Sequence, residues 1–305
     1  MNKINSIAGF LCFTAMIMVF LNMMVVAHDQ YAAAFFSKGL AVNDLVKKYD
    51  NTQETGKIKI LIVPGHEPAY GGTEYNGLVE RDLNVQLADE LGKKLKANQN
   101  FEVIFARDKK NWNPLIRNFV ADNFTEIKNW RDAQEKEMGD LTAQGLIKSN
   151  QDLSHNSVPG TSAIMLYGIN KWAGDNKVDI TIHVHFNDNP KVNGKPKYEG
   201  FAIYVPEAQY SNSSSSVVLA QDLMAGLKQV SKVSNFKKEA GGVVEDQDLI
   251  AIGRFNTADS LAALIEYKYI YEKVLQAKSS RDSFITAAAS STASAIVNFF
   301  TSRSI

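Results

Sequence analysis

The chain has 305 residues, 45% of them hydrophobic and 22% charged, enough apolar content for a substantial core. Its 33 basic and 33 acidic residues cancel, so no basic field favours nucleic acid and no acidic field favours a charged partner. The single cysteine, Cys12, lies in an N-terminal apolar run, which excludes disulfides and thiolate metal ligands from the rest of the chain.

Lys3 precedes an uncharged stretch from Ser6 to Ala27. About 20 helical residues cross a bilayer core of roughly 30 Å, so residues 1–28 read as a membrane anchor. Val25 and Ala27 also supply the small side chains of a signal-peptide cleavage site, which keeps a cleaved signal as the other reading. Either way the chain is expected to be exported. Residues 29–56 read as a connector with one short amphipathic helix followed by the polar stretch DNTQETGK.

The main domain is expected over 57–305. Ile58, Ile60, Leu61, Ile62 and Val63 form an apolar run that Pro64 and Gly65 end, the pattern of a buried strand. Residues 78–95 place Leu83, Leu87, Leu91 and Leu95 on one helical face, with Val79 opening the stripe. Strands are predicted at 101–106, 178–186, 199–205, 249–252 and 261–265, and helices at 217–227 and 283–300. The alternation predicts an α/β fold with a mostly parallel central sheet and helices on both faces. Residues 114–159 interrupt it with polar, helix-compatible sequence, either a solvated helical insertion or a lid over the site. The Ser-rich 212–216 stretch reads as a loop leading into a helix.

Chemistry gathers where strands end, because loops converge at the carboxyl edge of an open α/β sheet. His66 follows the first strand directly, and Glu80 opens the first helical pattern. In VDITIHVHFND, Asp179, Thr181, His183 and His185 share one strand face, so both histidines are able to approach a metal. Two imidazoles and a carboxylate form a recurrent catalytic zinc shell, and a separate glutamate must then take the proton from water. Glu266, behind the apolar run Leu261 to Ile265, is the candidate. The plainer alternatives are Glu80 as a helix N-terminal carboxylate favoured by the macrodipole and Glu266 as a salt-bridge acid. Tyr204, Tyr267, Tyr269 and Tyr271 either pack or line a sugar-binding cleft.

These segments resemble the zinc-dependent N-acetylmuramoyl-L-alanine amidases of the amidase 3 type. VPGHEPAYGG with NGLVERDLNVQLADEL is similar to the family's Pro-Gly-His turn and Glu-Lys-Asp-Leu-Asn-like helix. TIHVHFND resembles its Ser-Ile-His-Ala-Asn strand, and LIEYKYIYE its closing glutamate segment. The resemblance implies His66, Glu80 and His183 as Zn2+ ligands and Glu266 as general base. Beside them, His185 is read as a substrate or supporting contact, with a fourth ligand as the alternative, and Tyr267 as a residue narrowing the cleft. The implied substrate is peptidoglycan, cut between N-acetylmuramic acid and L-alanine in the bacterial cell envelope. The chain would be held at the membrane by its N-terminal segment or secreted, and the sequence identifies no activating protein partner. Alternatives are a related zinc amidohydrolase or peptidase acting on another amide, and an inactive wall-binding domain. The chain departs from the family pattern at Val63, where Asp is usual, and at Glu67-Pro68 in place of Gly-Gly. It departs again at His185, where Asn is usual, and at Tyr267 in place of Gly.

Overall fold

The computed structural model describes residues 40–69, 71–149, 160–188 and 196–304. The expected anchor or signal at 1–28, residues 29–39 of the connector, and residues 150–159 of the insertion lie outside these. The described chain opens with α1 (Val42–Asp50) and the single turn α2 (Thr52–Thr55), then enters β1 (Ile58–Pro64). Expected as part of a connector, α1 instead buries Leu45, Val46 and Tyr49 in the main core. Lys48 reinforces the contact, with Nζ 2.6 Å from Asp179 Oδ2, the same oxygen that accepts from Lys59 N.

A two-stranded hairpin, β2 (Glu74–Tyr75) and β3 (Leu78–Val79), precedes α3 (Glu80–Lys96). The leucine stripe was expected to begin at 78, but pairing of Leu78 and Val79 with β2 delays the helix to Glu80. Leu87 and Leu91 are fully buried and Leu83 and Leu95 nearly so, each contributing about 2 kcal/mol of transfer free energy. The helix carries Glu80 and Asp82 in its first turn and Lys93, Lys94 and Lys96 in its last, matching the macrodipole at both ends.

After β4 (Phe101–Phe105) come α4 (Pro114–Asp122), α5 (Phe124–Ala143) and α6 (Gly160–Asp175). The first two fill the expected insertion and are amphipathic. They expose their charged faces but bury Ile116, Val120 and Ile127 with Leu61 and Val63 of β1. The chain continues through β5 (Ile180–Asn187), β6 (Ala202–Pro206), α7 (Ser213–Leu227), β7 (Val243–Asp246) and β8 (Leu261–Tyr269). It ends with the short α8 (Lys273–Gln276) and the long α9 (Lys278–Thr301). The serines expected in a loop form the first turn of α7, where Ser213 Oγ donates to Pro206 O and Ser216 Oγ to Asn212 O.

Strand order is β4-β1-β5-β8-β6-β7, parallel throughout except between β6 and β8. Alternation divides the side chains between two layers. Ile60, Ile182, Ile265 and Tyr267 face the core formed with α1, α3, α7 and α9. Leu61 and Val63 face α4 to α6, and Ala262 and Leu264 pack beside them with Ala251 and Ile252. Among the described residues, α9 is long and apolar enough to cross a membrane. More than half of its most apolar stretch, 56%, is buried here, and it packs on α3 and α7 as a core helix.

The strand expected at 249–252 is instead a 3-10 turn, Ile250–Ile252. Asp246 Oδ1 accepts from both Asp248 N and Leu249 N at 2.8 Å, bending the chain just before it, and Gly253 at φ 110° bends it just after. The strand of this region is β7, a few residues earlier.

Candidate metal centre

Three of the expected residues meet at the carboxyl end of the sheet. β1 makes its last pair at Pro64, opposite Val184, and Gly65 N still donates to Val184 O at 2.9 Å. The chain then turns sharply through His66, at φ 67°, a left-handed conformation costing a non-glycine residue about 1 kcal/mol. This turn lifts the His66 ring to the level of His185, with ring centroids 5.1 Å apart. Gly65 makes the approach possible, since a Cβ there would lie 2.2 Å from the His185 ring.

Glu80 reaches the same point from the first turn of α3. Its Oε2 lies 2.8 Å from His66 Nε2 and accepts from Thr73 N at 3.0 Å. Its Oε1 meets His185 Nδ1 at 3.2 Å and Phe186 N at 3.3 Å. Gly72, at φ 82°, folds the loop over the pair, where a Cβ would come within 2.8 Å of the His66 ring. Burial raises the Glu80 carboxyl, but contacts with His185 and His66 outweigh it and hold the pKa far below the usual range. Glu80 is therefore an anion beside two imidazoles.

Ligand-capable atoms of His66, Glu80 and His185 all lie within 4.8 Å of one another. His66 Nε2 is buried close to Glu80, yet without the alignment of a hydrogen bond. A buried imidazole nitrogen left unpaired beside a carboxylate is what a metal ligand looks like before the cation is added. The residues therefore fit a divalent cation that accepts nitrogen and oxygen donors.

The grouping differs from the sequence expectation at one residue. His183 shares the strand face of His185 but lies one pair lower, flanked by Val63 of β1 and Leu264 of β8. The ligand-capable atoms that lie within 4.8 Å of one another are those of His66, Glu80 and His185, and His183 is not among them. His183 is buried, its ring hydrogen-bonds the Ala251 backbone, and burial drives its pKa down to about 3, with the charge of His185 acting in the same direction. Its Nε2 is buried without a hydrogen-bond partner, as is that of His66.

Glu266 stands in register with His185 on the adjacent strand. Its Oε2 is buried without a hydrogen-bond partner. Burial pushes its carboxyl well above 4.5, and the negative charges of Glu80 and Glu239 add to the effect. The next residue, Tyr267, points to the opposite face. Expected near the cleft, it is fully buried in the main core with its hydroxyl 3.0 Å from Thr292 Oγ1, because alternation turns neighbours of Glu266 away from the site.

Other supporting residues carry weaker sequence signals. Arg107, buried just past β4, donates Nε to Pro64 O at 2.9 Å and Nη2 to Gly65 O and, at 3.1 Å, to Arg81 O. It thus ties the His66 turn to the helix that carries Glu80. Burial lowers its pKa to about 10, so it remains cationic at neutral pH. Asn84 Nδ2 also donates to Gly65 O, at 3.2 Å. Glu239 is buried under four donors, Asn187 Nδ2, Tyr204 OH, Ser234 Oγ and Tyr269 OH. An arginine at the carboxyl end of an apolar strand was a usable hint for Arg107. Nothing in KKEAGG marks Glu239 as buried.

A family profile described as N-acetylmuramoyl-L-alanine amidase matches residues 60–298. No curated protein is significantly similar in sequence. Among solved structures, the N-acetylmuramoyl-L-alanine amidase of Clostridium difficile 630 is 16% identical at a TM-score of 0.51, covering 81% of this chain and 98% of its own. The N-acetylmuramyl-L-alanine amidase of Mycobacterium smegmatis is 13% identical at 0.52, with coverage of 81% and 98%. The CwlD amidase of Clostridioides difficile, solved in complex with the GerS lipoprotein, is 13% identical at 0.53, with coverage of 81% and 100%. At these identities the likeness is one of fold.

Proposed function

Since the chain belongs to the N-acetylmuramoyl-L-alanine amidase family, whose members hydrolyse amide bonds of peptidoglycan, we propose that His66, Glu80 and His185 hold a zinc ion and that Glu266 moves the proton. One observation carries this reading, the convergence of two imidazoles and one carboxylate within 4.8 Å at the strand ends. Such a donor set, without thiolate, is one that catalytic zinc uses. Zinc supplies Lewis acidity there, polarising the amide carbonyl and making water a better nucleophile near neutral pH.

The remaining work falls to the chain. Glu266 takes the proton from the attacking water and hands it to the leaving nitrogen, a task suited to a carboxyl of raised proton affinity. Arg107 and the glycines at 65 and 72 hold the two loops in place. The bond cut is the one between the lactyl group of N-acetylmuramic acid and L-alanine. The activity belongs to the cell envelope, and the apolar stretch at 6–27 takes the domain there as signal or anchor.

Metal content and digestion of purified peptidoglycan, with mass analysis of the products, test this directly. The wild type is expected to bind about one zinc and to release stems bearing free L-alanine amino termini. Glu266→Gln should keep the metal and lose activity by about 10²- to 10⁴-fold. Cleavage of a different amide would redirect the assignment to a related amidohydrolase. A metal-free protein that cuts nothing would leave a wall-binding domain.

A further inference from the structure

Beyond the metal centre, five aromatic rings form an unbroken row. Tyr75 meets Tyr271 edge-on with centroids 6.0 Å apart, and Tyr271 lies 5.5 Å from Tyr269. Tyr198 follows at 6.1 Å, and Phe236 ends the row 5.0 Å further on. Tyr269 is fully buried and fixed through its hydroxyl to Glu239, whereas the other four are half-buried. Tyr198 N donates to Tyr271 OH at 3.2 Å, so the row is braced by its own backbone.

The row continues from the site at both of the segments that build it. Tyr75 lies two residues past Thr73, whose N–H holds Glu80. Tyr269, the last residue of β8, and Tyr271, just past its end, follow Glu266 in the chain. Between the pairs His185–Glu266 and Asn187–Tyr269 the ladder carries one extra residue on β8. That bulge turns Tyr269 out of the alternation that buries Tyr267 on the other face, a re-aiming that bulges characteristically perform beside active sites.

We propose that Tyr75, Tyr271, Tyr198 and Phe236 form a stacking platform for amino-sugar rings of the glycan strand. The proposal rests on the amidase reading, since the scissile amide then joins a sugar to a peptide and one flank of the site must receive saccharide. The C–H face of a pyranose is apolar and weakly positive, complementary to the negative face of an aromatic ring. A peptide stem with its carboxylates would instead call for a cluster of cations. Along this row the neighbouring charges are of both signs, with Lys197 Nζ over the Tyr198 ring at 5.4 Å, Asp188 and Glu272 beside Tyr271, and Glu239 on the Tyr269 hydroxyl. The platform binds sugars beyond the one bearing the cut stem, so it favours polymeric over monomeric substrate.

The test compares kcat/KM on polymeric peptidoglycan and on a single muramoyl-peptide for wild type, Tyr75→Leu, Phe236→Leu and Tyr75→Phe. Binding of stem-free glycan chains to the Glu266→Gln protein, with and without the leucine substitutions, is measured alongside. Each leucine variant should lose about tenfold on polymer and less than about twofold on the monomer, the scale of one lost ring contact. Tyr75→Phe keeps the ring and should match wild type, and stem-free glycan should bind with the leucine variants weaker. Equal losses on both substrates, no loss on polymer, or glycan binding indifferent to the leucines would overturn the platform. A wild type that cuts neither substrate would overturn the amidase reading instead, which separates the two failures.

Discussion

His185 and Glu266 lie directly opposite each other across the β5–β8 pair. Parallel register puts both side chains on one face at one height, so a residue able to bind metal and a residue able to move protons share a single rung. His183, one step down the same strand, meets Leu264 in place of an acid.

Substituting the two histidines separately should therefore have different consequences. His185→Ala is expected to lose bound zinc and activity together while the fold persists. His183→Ala should retain about one zinc but melt earlier, since removing a buried ring leaves a cavity costing about 2–4 kcal/mol. Metal stoichiometry by mass spectrometry and thermal unfolding of both proteins decide it. Zinc lost from His183→Ala and kept by His185→Ala would restore the sequence-based assignment.

Much of this was legible in the chain, and its failures have physical reasons. The run ending at Pro64-Gly65 before His66, the helix opened by Glu80 and the strand from Leu261 follow from apolar period and turn chemistry, although that strand runs on to Tyr269 and so holds Glu266 within it. The choice between His183 and His185 did not follow, because both sit on one face and periodicity cannot fix height along a strand. His185-Phe186-Asn187 does have the His-x-Asn spacing of the family strand, two residues beyond His183. Tyr267 neighbours Glu266 in sequence, but strand alternation sends it to the core. Glu239 was invisible, because its burial depends on four donors from distant segments.

Gly65→Ala isolates a steric requirement. Gly65 does not need positive φ, so alanine suits its backbone, yet the added Cβ would fall within 2.2–2.6 Å of three atoms of the His185 ring. The ring must shift by about an ångström, and displacement of that size costs on the order of 100-fold in rate. The variant should show weakened zinc binding and reduced peptidoglycan hydrolysis, with an unfolding midpoint close to wild type. Unchanged metal affinity would show that His185 has room the structure does not display.

The raised proton affinity of Glu266 gives the metal-free protein a pH signature. Above 4.5 the unfolded chain releases this proton while the folded chain keeps it, so the folded state binds more protons and stability falls as pH rises. The loss continues until pH passes the raised folded value. Glu80 shifts the opposite way, and its window lies below 4.5, so the two do not overlap. His183 acts against Glu266 up to pH 6.5, since its neutral burial favours higher pH. The comparison must therefore be between proteins rather than along one curve. Relative to wild type, metal-free Glu266→Gln should become progressively more stable as pH rises from 4.5 toward 8, measured as the difference in denaturant midpoint. A constant difference would mean that the carboxyl titrates normally.

Arg107 makes the last and most structural prediction. Its guanidinium is buried without a carboxylate partner and is satisfied by the carbonyls of Pro64, Gly65, Arg81 and Asp108. Three of those carbonyls belong to the two segments that carry His66 and Glu80. Arg107→Met fills much of the volume but strands the carbonyls, which costs about 1–3 kcal/mol for a buried group left unpaired. Arg107→Lys keeps the charge but lacks the planar fork needed to bridge both segments at once. Zinc affinity should thus fall for both variants, more for methionine, while stability falls mainly for methionine. A purely packing role would lower the melting temperature of Arg107→Met and leave zinc affinity and kcat unchanged in Arg107→Lys. Competitive zinc titration of the two proteins beside their unfolding curves separates a residue that positions the metal ligands from one that only fills the core.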